Sequence, residues 1–139
     1  MSRYPCAGVI VFDNDKTVVV TSDRNRNSFP KGKRNRKETD LETAFRELEE
    51  ETGLTHDHVE LIEDFCIDET SNNNHPSVRY FVGKLVKPHT KFTFDEDELQ
   101  KVEWHRIEDA LKLEGLKDRR KEILGLAHAK FMSHTGWKN

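Results

Sequence analysis

The sequence predicts a single α/β domain of the α+β type over residues 1–139. Three observations predict it: several segments rich in β-branched and apolar residues, one helix with clear start and stop signals, and two helical segments close to the end of the chain. A domain of this length buries roughly two thirds of the surface that its unfolded chain exposes, so it can form a core without disulfide bonds.

A β-hairpin is predicted first. Residues 6–12 and 17–21 are apolar and β-branched, and the segment 13–16 between them has a turn-forming composition. The stretch 24–37 contains Pro30 and Gly32 and shows no periodicity. We therefore predict a loop there, with at most a short extended piece at Ser28–Phe29.

A helix is predicted at about residues 39–52. Thr39 followed by Glu42 has the form of a capping box, and Gly53 is the expected stop. One face of this helix has apolar or weakly polar residues at helical spacing, namely Leu41, Phe45, Leu48 and Thr52.

Three further strands are predicted at 59–68, 78–86 and 101–107, with a turn at 71–74 between the first two. Helical segments at 108–113 and 116–131 follow, separated by Gly115. The second segment has an apolar stripe made of Ile123, Leu124, Ala127 and Phe131.

Composition favours a folded cytoplasmic domain with a heavily charged surface. The chain is 34% hydrophobic and 35% charged, and no apolar run approaches the ~20 residues that a membrane span needs. The two cysteines, Cys6 and Cys66, provide no disulfide framework, which fits a reducing compartment. We expect both to be small buried residues, and we expect no membrane partner.

The net charge of -3 hides a strong local asymmetry. Seven basic residues and no acidic ones occur from Arg24 to Lys37, which favours a multiply charged anion as substrate. Lys31 and Lys33 flank Gly32 and, with Arg24, are the candidate substrate-binding residues. Most of the other basic side chains in this stretch are expected to form a solvated surface.

Glutamates dominate the helix that follows. Glu47, Glu50 and Glu51 fall at i, i+3 and i+4, within about a 100° arc that avoids the apolar stripe. Like charges at this spacing repel one another unless a cation or water screens them. Carboxylates without thiols or imidazoles are the ligands that Mg²⁺ and Mn²⁺ prefer, so this arc is a candidate divalent-metal site. A solvated helix face is the more common role of a glutamate-rich helix, and the residues around the helix decide between the two.

The segment from Gly32 to Leu54 has a distinctive spacing of glycine, glutamate and arginine. Gly32 is followed after five residues by Glu38 and after seven more by Arg46-Glu47-Leu48, and the segment ends in Glu50-Glu51, Thr52 and Gly53-Leu54. It resembles the Nudix box, GX5EX7REUXEEXGU with U aliphatic, and matches it at every specified position. The resemblance implies a mixed β-sheet sandwiched between helices and metal-dependent hydrolysis of a diphosphate bond.

Roles for individual residues also follow from the resemblance. Glu47, Glu50 and Glu51 would be the metal ligands together with the backbone carbonyl of Gly32. Arg46 would orient carboxylates, pairing with Glu50 or Glu38, although an ordinary surface ion pair is an equally good interpretation. The general base would be a glutamate of the box or one from a distant loop; Glu98 is the candidate of the second kind, with Glu96 in reserve.

Several substrates are compatible with these residues. The segment Phe29–Lys33 resembles the start of the box in mRNA-decapping enzymes, and Pro30-Lys31-Gly32 resembles that of dinucleoside and diphosphoinositol polyphosphate hydrolases. The preferred substrate is thus a nucleotide with an extended polyphosphate or an RNA cap. Alternatives are a diphosphoinositol polyphosphate, a damaged nucleoside triphosphate, and a non-catalytic role as a nucleotide- or RNA-binding module.

Overall fold

The computed structural model describes residues 4–88 and 91–135. Within these ranges the chain forms three α-helices, α1 (Asp40–Thr52), α2 (Ile107–Ala110) and α3 (Asp118–Thr135). The same ranges contain seven strands: β1 (Cys6–Asp13), β2 (Lys16–Ser22), β3 (Asn27–Ser28), β4 (Lys31–Lys33), β5 (Val59–Thr70), β6 (Pro76–Leu85) and β7 (Leu99–Arg106). The predicted hairpin, helix order and later strands are all present, with ends that differ by a few residues.

The strands form one mixed sheet in the order β3-β2-β1-β6-β5. β1 and β6 run parallel, whereas β1–β2 and β5–β6 are antiparallel pairs. Two strands lie off this path, since β4 pairs with β1 and β7 with β2. The prediction of an α+β fold with a mixed sheet is confirmed.

Helices cover both faces of the sheet, and the side chains of β1 pack against a helix on each face. Its Ile10 and Phe12 belong to the core cluster that includes the α3 residues Leu124 and Phe131. The alternate residues of β1, among them Val9, belong to the second cluster, which contains the buried apolar residues of α1. Because successive side chains of a strand point to opposite faces, an almost wholly apolar strand places one helix on each side of the sheet.

The prediction of a loop over 24–37 is wrong in part. This stretch contains β3, which pairs with β2, and β4, which pairs with β1. Both strands are too short to show a periodicity in sequence. The pairing of β4 with β1 also depends on a distant residue, Gly8. An added Cβ there would overlap Pro30 and Lys31, so its missing side chain lets the backbone of β4 approach β1 closely.

Other predictions of burial need correction. Leu41 is 38% exposed, because it lies in the first turn of α1 and borders an open groove with Leu61 and Phe81. Neither cysteine is buried: Cys6 is half-buried, and Cys66 is exposed on β5, which ends the sheet order and has an irregular register before this residue. Both cysteines are free thiols.

The closing helices also differ from the predicted bounds. α2 ends at Ala110 and is followed by a turn, so the predicted segment 108–113 is helical only in its first part. α3 begins at Asp118, two positions after the predicted start, and its four predicted apolar residues are all buried. None of the helices in residues 4–88 and 91–135 combines the length and the hydropathy that crossing a membrane requires.

Candidate metal and substrate site

Helix α1 presents the glutamates in a fixed orientation. It begins with the predicted capping box, in which Thr39 accepts from the backbone N–H of Glu42 while the Glu42 carboxylate accepts from that of Thr39. It ends at Gly53, whose φ of 84° is the left-handed conformation typical of a helix stop. Phe45 and Leu48 are buried against the sheet, whereas Glu47 and Glu51 of the glutamate arc lie against β4.

Arg46 connects the carboxylates around this arc. Its Nε lies 2.7 Å from Glu38 Oε2, and its Nη1 lies 3.0 Å from Glu47 Oε2 and 3.1 Å from Glu50 Oε1. Its Nη2 donates to the Lys33 carbonyl at 2.8 Å. Both pairings predicted for Arg46 are therefore present at once, and the hydrogen bond from Arg46 lowers the pKa of Glu38 to about 2.

Gly32 and Glu47 are in direct contact. A Cβ atom added to Gly32 would overlap the Glu47 carboxyl group, so only glycine leaves room for this carboxylate beside the backbone of β4. The Glu47 side chain is only 14% exposed, and burial, followed by the charge of Glu50, raises its pKa. The Gly32 backbone and the Glu47 carboxylate thus lie in contact, and their role as metal ligands stays a prediction.

Glu51 has a strongly raised pKa. Burial raises its pKa to about 7, against the lowering effect of the Lys31 backbone N–H, which donates to its Oε1 at 3.0 Å. The charges of Glu47 and of Glu98 raise it further. The charge of Glu98, an exposed residue just before β7, also contributes to the raised pKa of Glu47, and its role as the base stays a prediction.

The raised pKa of Glu51 predicts how the metal-free protein responds to pH. Its ordinary value of 4.5 applies to the unfolded chain, so between pH 4.5 and about 7 the folded chain keeps a proton that the unfolded chain has lost. We therefore expect the Glu51 contribution to stability to fall as pH rises through this window. The free energy of unfolding, measured with urea in EDTA, should fall less between pH 5 and pH 8 for Glu51→Gln than for the wild type.

The comparison with the variant is needed because His128 changes the free energy of unfolding in the opposite direction as pH rises. Burial lowers its pKa, so its contribution to stability rises as pH increases towards its ordinary value. His128 is unchanged in Glu51→Gln, so its effect cancels when the two proteins are compared. Equal losses of stability in wild type and variant would contradict the assignment of a raised pKa to Glu51.

The donor set fits a hard divalent cation in its chemistry. It consists of carboxylates and one backbone carbonyl, and two of the carboxylates are partly desolvated with raised pKa values, an arrangement that a cation would stabilise. Within residues 4–88 and 91–135, no three acidic, histidine or cysteine side chains already converge closely enough to hold a metal ion. Glu47 and Glu50 instead turn towards Arg46.

A cleft of about 400 Å³, here called the substrate cleft, opens beside Glu51. Its polar and charged lining includes Arg26, Asn27, Lys31, Glu51, Lys117 and Arg120. Arg120 donates from Nε to Glu69 Oε1 at 3.0 Å, which offsets its charge. No ion pair within 4 Å is formed by Arg26 or Lys117 among the residues that the structure describes.

The predicted substrate-binding residues lie in different places. Lys31 lines the substrate cleft, and its backbone holds Glu51. Lys33 is exposed at the end of β4, and Arg24 lies in a short 3-10 turn with φ of 63°, outside the cleft lining. Sequence reasoning missed Lys117 and Arg120 as lining residues; Arg26 lies within the basic run and could have been found there.

A comparison with known proteins identifies the family to which this chain belongs. A family model described as the NUDIX domain matches residues 2–126 of the chain. The chain belongs to the Nudix family. The Nudix box identified in the sequence is thus the segment that contains β4, α1 and the glutamate cluster.

Relatives with known names include two RNA-related proteins. The mRNA-decapping protein g5R of African swine fever virus (isolate Warthog/Namibia/Wart80/1980) is 33% identical over 86 residues, covering 58% of this chain and 31% of that protein. The RNA pyrophosphohydrolase of Xanthomonas campestris pv. campestris (strain B100) is 40% identical over 60 residues, covering 42% of this chain and 29% of that protein. This Nudix chain therefore spans about a third of the length of the curated relatives it matches.

Solved structures of Nudix proteins share the fold. The crystal structure of a C. elegans Ap4A hydrolase binary complex superposes with a TM-score of 0.77. It covers 96% of this chain and 99% of that chain at 20% sequence identity. The likeness confirms a mixed β-sheet with flanking helices as the Nudix architecture of this protein.

Proposed function

We propose that this Nudix chain hydrolyses a diphosphate linkage in a highly anionic nucleotide-type substrate, preferably at the 5′ end of an RNA. The observation that carries the proposal is the hydrogen bond from the Lys31 backbone to Glu51. It places the cationic substrate cleft directly beside the glutamate cluster, so an anion held in the cleft would lie against those carboxylates. The names of the two RNA-related relatives support the choice of substrate.

The proposed cofactor is Mg²⁺ or Mn²⁺, held by Glu47, Glu50, Glu51 and the Gly32 carbonyl. Such a cation, when bound, neutralises phosphate charge and acidifies a coordinated water. Arg46 keeps Glu47 and Glu50 oriented on the surface of the helix. We propose that the side chain of Lys31, which lines the cleft, binds a phosphate oxygen by a charge-assisted hydrogen bond.

Proton removal from the attacking water requires a carboxylate base. Glu47 and Glu50 belong to the cluster itself, and the charge of Glu98, just before β7, contributes to the raised pKa of both Glu47 and Glu51. We propose one of these carboxylates as the base, since a carboxylate beside the attacking water can accept its proton. A cytoplasmic location is also proposed, which the two free thiols support.

A panel of substrates tests the proposal directly. Capped RNA, 5′-triphosphate RNA, diadenosine polyphosphates, diphosphoinositol polyphosphates and damaged nucleoside triphosphates would be incubated with the full chain and Mg²⁺ or Mn²⁺, and products identified by mass. Release of a nucleotide or phosphate product from RNA with the highest kcat/KM is the expected result. Absence of hydrolysis across the whole panel would favour a non-catalytic binding module and end the proposal.

A diphosphoinositol polyphosphate is the second candidate, and the lining of the substrate cleft favours it. Phe29, the aromatic residue of the described lining, is fully buried and offers no stacking surface for a base. A cleft that recognises charge rather than a base would also accept a phosphorylated inositol. The same panel separates the two, since the inositol substrate would then be hydrolysed with the higher kcat/KM.

Removing positive charge beside the box is expected to weaken turnover of RNA. Replacing Lys31 and Lys33 together by Ala should raise KM and lower the dependence of log(kcat/KM) on log[salt] by roughly 0.7 for each phosphate interaction that the substitution removes. Steady-state kinetics on 5′-triphosphate RNA between 50 and 200 mM salt, roughly the range in which phosphate contacts are most visible, provides the measurement.

The matched control for this double variant is Lys87→Ala with Lys112→Ala. Both control residues are exposed and line neither the substrate cleft nor the cleft at the start of α1. The control should keep the salt dependence of the wild type. Identical kinetics for the Lys31 and Lys33 variant would exclude that pair as phosphate contacts.

A further inference from the structure

A second cleft, of about 870 Å³, lies at the start of α1 and is here called the basic cleft. The loop between β4 and α1 forms most of it, and Arg79 on β6 closes the other side. The lining consists of Arg34, Asn35, Arg36, Lys37, Glu38, Thr39, Asp40 and Arg79. This cleft is larger than the substrate cleft, and the proposed function does not use it.

The charges within the basic cleft do not balance. Arg79 is paired with Asp68 at 3.1 Å and with Asp40 at 3.4 Å, and Glu38 is paired with Arg46. Both acidic residues of the lining are therefore already paired. Arg36 and Lys37 are exposed and make no ion pair within 4 Å in the described part of the chain, so the cleft keeps a positive surplus.

One guanidinium joins the basic cleft to the proposed reaction centre. Arg46 contacts Glu38, which lines the basic cleft, at 2.7 Å and contacts Glu47 of the glutamate cluster at 3.0 Å. The backbone of β4 also connects the two places. Lys31 of this strand donates its backbone N–H to Glu51, and Arg34, directly after the strand, lines the basic cleft. A long anion that starts at the glutamate cluster can therefore continue along the end of β4 towards the basic cleft.

The lining also indicates what kind of anion fits. It contains arginine, lysine, asparagine, threonine and acidic side chains and no aromatic ring, so it offers hydrogen bonds and charge but no stacking surface for a base. Such a surface binds the repeated phosphates of a nucleic acid backbone without reading its sequence. The open cleft leaves room for an extended strand rather than for a single enclosed group.

We infer that the basic cleft binds the phosphodiester backbone of an RNA strand whose 5′ end lies at the glutamate cluster, with Arg36 and Lys37 as phosphate contacts. This inference rests on the proposed function, because that function supplies the 5′ end. It adds a length requirement: RNA should bind more tightly than a dinucleotide with the same 5′ group, since the dinucleotide does not reach this cleft.

Direct binding tests the inference without any hydrolysis. The probe is a fluorescent 5′-hydroxyl RNA of about 30 nucleotides, which has no diphosphate bond, and its anisotropy is measured against the full chain at several salt concentrations. The variant is Arg36→Ala with Lys37→Asn, chosen because asparagine tolerates the φ of 73° at position 37. We expect Kd to rise roughly tenfold, at about half a decade per phosphate contact, and the salt slope to fall by roughly 1.4.

A kinetic arm uses substrates of two lengths. For 5′-triphosphate RNA of about 30 nucleotides, the variant should raise KM by the same factor as Kd and leave kcat unchanged. For the dinucleotide with the same 5′ end, both constants should equal those of the wild type. The Lys87→Ala, Lys112→Ala protein serves as control, and unfolding in urea checks that the exposed substitutions leave the fold intact.

The outcomes separate this inference from the proposed function. If RNA is hydrolysed but the Arg36 and Lys37 variant binds the long 5′-hydroxyl probe as tightly as the wild type, the inference is wrong and the function stands. If the probe binds through these residues but nothing in the panel is hydrolysed, the function is wrong. Binding of anionic lipid vesicles in place of RNA would also overturn the inference.

Discussion

Replacing Glu50 by Gln is expected to lower kcat by about two to four orders of magnitude while leaving the fold intact. The Glu50 side chain is 54% exposed, and its hydrogen bond is to Arg46 Nη1 at 3.1 Å, which an amide oxygen can still accept. Arg46 also keeps Glu38 and Glu47 as partners. The substitution therefore removes one negative charge, a proposed metal ligand and a candidate base, with almost no change in shape.

Single-turnover hydrolysis of 5′-triphosphate RNA with saturating Mg²⁺ provides the measurement. Glu49→Gln is the matched control, because Glu49 is an exposed neighbour on α1 that is outside the proposed ligand set. The control should retain wild-type turnover. Phosphate release that survives in Glu50→Gln would remove this residue from the mechanism, and the remaining glutamates would then have to be tested one by one.

Much of the fold could be predicted because local signals and long-range packing agree. Thr39 and Glu42 mark the start of α1 and form the capping box that their spacing predicts, and Gly53 ends the helix. The hairpin β1–β2 follows from two apolar strands around a polar turn. These features depend on residues within one element or two neighbouring ones, which a sequence displays directly.

The remaining features depend on residues that are distant in sequence. β4 exists because Gly8 allows its backbone to approach β1, and three residues of polar sequence give no sign of this pairing. Lys117 and Lys31 line the same cleft because the chain after the last strand returns to β3, where the Asn27 backbone N–H donates to the Gly115 carbonyl. Likewise, the raised pKa of Glu51 comes first from burial, which the exposed appearance of a glutamate-rich helix does not predict.

The glutamate cluster, too, could be predicted only in part from the sequence. Spacing on the helix was sufficient to place Glu47, Glu50 and Glu51 on one arc, because helical geometry is regular. The environments of the three differ, however: Glu50 is mostly exposed, Glu47 lies against Gly32, and Glu51 is held by the backbone of Lys31. These differences arise from where β4 crosses the helix, which is a property of the assembled fold.

Gly32→Ala is expected to lower activity by about one to two orders of magnitude and to reduce the free energy of unfolding by about 1–3 kcal/mol. The new methyl group would overlap the Glu47 carboxyl group, so either that side chain or the backbone of β4 must move. Gly32 does not have a positive φ, since Gly53 is the glycine with that conformation in the described chain. The effect therefore comes from steric overlap at the proposed metal site rather than from backbone strain.

The control for this variant is Gly125→Ala in α3. An added Cβ at Gly125 meets no atom within 4 Å, and alanine is favoured over glycine in a helix interior by about 0.5–1 kcal/mol. We expect this control to be slightly more stable than the wild type and equally active. Urea unfolding together with hydrolysis of 5′-triphosphate RNA distinguishes the two glycines. A fully active Gly32→Ala protein would show that the Glu47 carboxylate need not lie against this backbone, which would remove the Gly32 carbonyl from the proposed ligand set.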